Sequence, residues 1–232
     1  MTQIQFKGIF TDTSTNMIIL NDDSLKQNDD TFTNFIYINK NSISDELCDE
    51  IIGLFNKSTP FPGSTAGGVN KQVKDTNDLQ TFGDEWNNIN SVLMNEIEYN
   101  MKEYTKRFEC EDFKSQNNNS TVTDFKVINA VDINYMSQFM VQKYEKNQGR
   151  YIYHNDFSLE KNQNFRMLTY LWYLNDVMEG GETVFNGKYK IRPRRGTLVL
   201  FPASWTFPHC GKMPISSDKY IITGWMYSTQ KL

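Results

Sequence analysis

The stretch Arg166-Met167-Leu168-Thr169-Tyr170-Leu171-Trp172-Tyr173-Leu174-Asn175 reads as a β-strand. It is aromatic and aliphatic, with no glycine or proline, and alternation puts Thr169, Leu171 and Tyr173 on one face. Two hydroxyls beside a leucine suit an amphipathic pocket wall, and they equally suit a cross-strand pair in a core. From about residue 125 onward the chain keeps this character. Short runs at 136–144, 168–174, 183–185, 198–201 and 220–225 read as strands separated by Gly, Pro and Asn. Many short strands with turn signals between them predict a sandwich, barrel or jelly roll.

Working outward from the strands, the N-terminal half is different. The first 33 residues are polar and weakly patterned, as in an arm or an extra hairpin. Residues 35–38 predict a short strand. Ser44 is a helix N-cap, and Leu47, Ile51, Ile52, Leu54 and Phe55 keep helical spacing until Pro60-Phe61-Pro62-Gly63. Residues 63–78 are rich in Gly, Ser, Thr and Asn and read as a loop, either a lid or plain surface. A second helix is predicted over 84–108, with Trp86, Ile89, Leu93, Ile97, Met101 and Tyr104 as its apolar stripe. A polar connection, including Asn117-Asn118-Asn119, follows over 110–124. The expectation is a single domain, with 1–124 as arm and supporting helices and 125–232 as a β core braced on its outer face.

Composition narrows the function classes. The chain has 232 residues, 38% hydrophobic and 22% charged, enough for a sizeable core without staples. A net charge of −4 argues against bulk attraction to nucleic acid. No stretch is long and apolar enough to span a membrane, and the first residues lack the pattern of a secretory signal, so a cytoplasmic setting, microbial or in a virus-infected cell, is expected. Cys48, Cys110 and Cys210 are odd in number and far apart, which fits buried reduced thiols rather than a disulfide framework.

The histidine count is two, so a site that needs imidazole must use His154, His209 or both. In an extended segment His154 and Asp156 point to one side. Two His and one carboxylate fit the facial triad of non-haem Fe(II), which leaves positions open for other ligands. An isolated HxD also arises by chance, so the surroundings decide. Lys219 shares a strand face with Ile221, Thr223 and Trp225. A Lys on such a face either meets an anion or snorkels to water from the strand end.

Taken together, these motifs resemble the prolyl 4-hydroxylase-like group of 2-oxoglutarate- and Fe(II)-dependent dioxygenases. The resemblance rests on His154-x-Asp156, on RxxTxxxYLN over 166–175 and on GGET over 180–183. It continues through GTLVLFP over 196–202 to His209, with Lys219 ten positions later. It covers about residues 134–227, and extends more loosely to NFIYINKNSISDELCDEII. It implies a mainly β fold with bracing helices, a double-stranded β-helix or jelly roll. It implies His154, Asp156 and His209 as catalytic Fe(II) ligands, with 2-oxoglutarate, O2 and ascorbate as cofactors. Lys219 would pair with the distal carboxylate of 2-oxoglutarate, and Tyr173 would hydrogen-bond the same group. Tyr144 would line the cosubstrate site, walled by Thr169, Leu171 and Trp225.

The implied reaction is oxidative decarboxylation of 2-oxoglutarate to succinate and CO2, coupled to hydroxylation of a C–H bond. Halogenating relatives replace the carboxylate, so Asp156 favours hydroxylation. The leading substrate is peptidyl proline; a free amino acid, another peptide side chain or a small metabolite stay open. Partners are then a protein, peptide or small molecule, without nucleic acid or membrane. The rivals are a noncatalytic jelly-roll binding module and an oxygenase independent of 2-oxoglutarate, which has no need of Lys219 and Tyr173. Cys210, beside His209, is a small buried filler or a redox-sensitive thiol.

Overall fold

The computed structural model describes residues 18–20, 32–108, 131–159 and 164–228. In chain order these form β1 (Ile18–Ile19), β2 (Tyr37–Asn39), α1 (Asp45–Lys57), β3 (Phe61–Pro62), β4 (Lys74–Asp75), β5 (Asn77–Gln80), α2 (Asn87–Lys106), β6 (Val131–Met136) and β7 (Met140–Tyr144). The remainder is β8 (Arg150–His154), β9 (Arg166–Tyr173), β10 (Thr183–Phe185), β11 (Tyr189–Ile191), β12 (Leu198–Pro202), β13 (His209–Gly211) and β14 (Lys219–Ser228). Turns of 3-10 helix sit at Thr33–Phe35 and Asp84–Trp86.

The strands make two sheets. The larger runs β2-β12-β9-β14-β7-β5-β3, with β6 also paired to β14, and the smaller runs β1-β11-β10-β13-β8-β4. All pairings are antiparallel except β1 with β11. This is the expected jelly roll. Alternation along β9, β12 and β14 separates two cores. Tyr170, Trp172, Leu198, Leu200 and Ile222 belong to the cluster shared with the helices. Leu171, Tyr173, Val199, Phe201 and Ile221 belong to the cluster between the sheets. Burial on both faces is why these strands read as nearly continuous apolar runs.

Both helices form where their patterns place them. The Ser44 hydroxyl accepts from the Leu47 amide at 3.2 Å and caps α1, with Asp45 and Glu46 in the first turn, where the positive end of the helix favours them. Cys48, Ile51 and Phe55 face inward. On α2, Ile89, Leu93, Ile97, Met101 and Tyr104 are buried against the larger sheet. Asn100, fully buried, ties α2 to β2. Its Oδ1 accepts from Tyr37 Oη at 2.9 Å and from Asn39 Nδ2 at 2.8 Å, and its Nδ2 donates to the Glu96 carbonyl at 2.8 Å.

Several boundaries differ from the sequence reading. Residues 35–38 divide into a 3-10 turn and β2. The run at 136–144 is two strands, β6 and β7, broken where Ser137 Oγ accepts from the Trp225 amide at 2.8 Å. Residues 63–78 are not simply a loop. β4 joins the smaller sheet and β5 the larger, so residues 74–80 turn the corner between them. Inside that corner Lys74 Nζ pairs with Asp78 Oδ2 at 2.6 Å, Thr76 donates to Asp78 Oδ1 at 2.7 Å, and Gln142 donates to Oδ2 at 3.3 Å. Polar composition concealed strands whose pairing is satisfied internally. Of the N-terminal arm, β1 pairs in parallel with β11 rather than as a hairpin; most of the arm, the 110–124 connection and Cys110 lie outside the described residues. Cys48 and Cys210 are buried free thiols. Among the described residues no helix is long and apolar enough to cross a membrane.

Candidate active site

The site begins with a mismatch in length between two strands. On β13, His209 faces His154 and Gly211 faces Tyr151, so Ile152 and Tyr153 of β8 together oppose Cys210. This β-bulge sets Tyr151 and His154, three residues apart, on one face. Their rings stack at a centroid distance of 3.5 Å and 15°. Ordinary alternation of β8 would have placed them on opposite faces.

His154, Asp156 and His209 converge, each offering one ligand atom, all within 4.8 Å of one another. His154 Nε2 lies 3.7 Å from Asp156 Oδ1, and His209 Nε2 lies 3.6 Å from Oδ2. The Nδ1 atoms are 2.8 Å from the Ile152 carbonyl and 3.0 Å from the Phe207 carbonyl. A carbonyl only accepts, so each Nδ1 carries a proton, and each Nε2 is turned toward Asp156. Burial, and then the neighbouring imidazole, push His154 down to about 3, which keeps it neutral. Burial by itself would raise the Asp156 carboxyl; the two imidazoles and the Thr169 hydroxyl, 2.7 Å away, outweigh it and hold the carboxyl below its usual range. Two imidazoles and one carboxylate are a donor set that fits Fe(II).

The triad opens into a cavity of about 670 Å³ between the sheets. At its wall is Lys219, only 1% exposed. Its Nζ donates to the Gly181 carbonyl at 3.0 Å and lies 3.8 Å from the centre of the Tyr144 ring. Among the described residues no carboxylate forms an ion pair with it, and burial lowers its pKa to about 7. Gly181 has φ +74°, a left-handed conformation that glycine adopts without strain and that belongs to the turn supplying this carbonyl.

Of the other residues singled out from sequence, Tyr144, Thr169, Leu171 and Trp225 line the cavity. Tyr173 does not. It is fully buried, and its hydroxyl donates to Thr183 Oγ1 at 2.7 Å, so Thr183 is the residue that reaches the cavity wall. The sequence reading placed the phenol itself there; Thr183 lay inside the GGET motif but was given no role. Arg166 was likewise missed. It lines the cavity, with its guanidinium 3.6 Å from the Trp225 ring centre. Tyr151 and Gly211 were missed for a different reason: the bulge that directs one and the bare Cα of the other leave no pattern in a sequence.

Comparison with known proteins agrees with this geometry. Residues 139–227 match the family model of the 2OG-Fe(II) oxygenase superfamily, 2OG being 2-oxoglutarate. Over this stretch the chain is similar to the 2OG-Fe(II) oxygenases. The match spans the strands that carry the triad and Lys219, and the matched family implies Fe(II), 2-oxoglutarate and O2. No curated protein sequence matches the chain. Among solved structures, the chain is similar to a viral collagen prolyl hydroxylase from Paramecium bursaria Chlorella virus-1, solved with 2OG. The TM-score is 0.58 and the identity 20%, over 84% of this chain and 97% of that one. A Trichoplax adhaerens prolyl hydroxylase, in complex with a hypoxia-inducible-factor peptide, gives TM-score 0.61 and 21% identity over 84% of each chain. A Pseudomonas putida prolyl-4-hydroxylase gives TM-score 0.54 and 15% identity over 82% and 91%. At these identities the likeness establishes the fold.

Proposed function

We propose that the oxygenase hydroxylates peptidyl proline, holding Fe(II) on His154, Asp156 and His209 and 2-oxoglutarate between that ion and Lys219. The observation that carries the cosubstrate assignment is Lys219. A buried ammonium with one carbonyl acceptor keeps N–H donors free, and a dicarboxylate satisfies them where a wholly apolar pocket would not. Thr183 offers a second hydroxyl to the same carboxylate, with Tyr173 holding it from behind. Bound Fe(II) supplies the site at which O2 is activated with 2-oxoglutarate as co-reductant. The chain orients both imidazoles through backbone carbonyls, fixes Asp156 through Thr169 and encloses the reaction between two sheets. Ascorbate is assigned as the reductant that keeps the iron ferrous.

Proline in a peptide is favoured because three structural neighbours carry prolyl hydroxylase names and one was solved with a peptide. Arg166 and Trp225 at the cavity wall offer a cation and an aromatic plane to a peptide carbonyl and a pyrrolidine ring. The deciding experiment is an anaerobic titration of 2-oxoglutarate into the Fe(II)-loaded protein. A visible charge-transfer band is expected, and none with His209→Ala. Proline-containing peptides and free amino acids are then compared by succinate release and a 16 Da mass gain. Gain on a free amino acid alone would replace the peptide reading.

A further inference from the structure

We propose that Gly211 sets the length of the 2-oxo acid that the site accepts. This rests on the reading of Lys219 as the cosubstrate's anchor. His209 and Gly211 lie two apart on β13 and both face the cavity, so the strand advances about 6.8 Å from a metal ligand to a position with no side chain. That advance is about the reach of a five-carbon diacid. Directly across the ladder from Gly211 is Thr183, and facing it are Tyr144 and Lys219, the groups at the anion end.

A Cβ built on Gly211 would meet Tyr144 Cε1 at 3.1 Å, Tyr144 Oη at 3.3 Å and Lys219 Nζ at 3.5 Å. The first two contacts, both to Tyr144, are tight enough that the ring must give by a few tenths of an ångström, and the third sets the methyl in van der Waals contact with the ammonium. Tyr144 is 3% exposed and Lys219 1%, one bonded to Gln142 and the other to Gly181. An added methyl therefore occupies space on the open side of the ammonium. The distal carboxylate loses its seat, while the chelating end of the acid, beside His209, is unaffected. Glycine here is a specificity determinant. Backbone conformation does not require it, because Gly211 is not among the positive-φ glycines.

The test compares 2-oxoglutarate with oxaloacetate, one carbon shorter, by anaerobic titration of the Fe(II)-loaded protein. Gly211→Ala should weaken 2-oxoglutarate at least tenfold relative to oxaloacetate, with Fe(II) affinity within about twofold of wild type. Unchanged preference between the two acids overturns the proposal, whether both affinities hold or both fall. A second measurement needs no substitution: 2-oxoadipate, one carbon longer, should bind the wild type at least tenfold more weakly than 2-oxoglutarate, and equal affinity overturns the proposal. Failure of the wild type to bind 2-oxoglutarate at all overturns the underlying reading as well, and is recognised before any variant is made.

Discussion

Lys219 carries the sharpest consequence at the scale of single residues. Its pKa, lowered to about 7 by burial, means that the free site is half charged at neutral pH. A bound dicarboxylate stabilises the ammonium and raises that pKa. Above pH 7 binding therefore takes up a proton, close to one at pH 8, and affinity falls as pH rises. Anaerobic calorimetry in buffers of different ionisation enthalpy measures the uptake; zero uptake at pH 8 would contradict this account. Lys219→Ala should weaken 2-oxoglutarate by about a hundredfold, consistent with loss of roughly 3 kcal/mol from one charged contact, and leave metal binding intact. The meeting of His154, Asp156 and His209 follows a pattern visible in the sequence, an HxD pair in a chain with only two histidines. Lys219 on its strand face suited a strand end reaching water equally well, and acquired a role only through the family resemblance. Tyr173 was misplaced by one residue's depth: alternation gave its face correctly, but whether the phenol or Thr183 ends at the cavity depends on packing across the ladder.

The strand corner at 74–80 shows what was not legible among the elements. Its Thr, Asn and Asp read as loop, because a chain that serves two sheets in turn presents no sustained period. The Lys74–Asp78 pair is buried at both ends, with side-chain exposures of 5% and 2%. Asp78→Ala strands the ammonium and should cost about 3–5 kcal/mol in urea unfolding. Replacing both, Lys74→Met with Asp78→Leu, should recover most of it. A double variant as unstable as the single one would assign the loss to Thr76 and Gln142 instead. By contrast α1 was read almost to the residue, since its signals, Ser44 and the Leu47-Ile51-Phe55 stripe, are local. Ser44→Ala should cost about 1 kcal/mol, seen as a lower urea midpoint at unchanged slope.

Over the whole molecule, strands of the larger sheet contribute to both cores, so the helices hold that sheet from outside while both histidines of the triad sit on the smaller sheet. Metal binding to the folded state should raise stability by mass action, about 2.7 kcal/mol at a hundred times the Kd. For a domain of this size that is a rise of roughly 5–11 °C in Tm with Mn(II). His209→Ala should show no such rise. The bulge has a genetic corollary. β8 spends three steps where β13 spends two. Loss of one codon at Ile152 or Tyr153 would equalise the counts and leave both imidazoles facing each other, at the cost of the carbonyl that orients one of them. Loss of the codon for Cys210 would turn His209 and Gly211 to opposite sides of their strand. Two neighbouring strands that grip the same ion thus differ in what a single deletion does to the lineage that carries it.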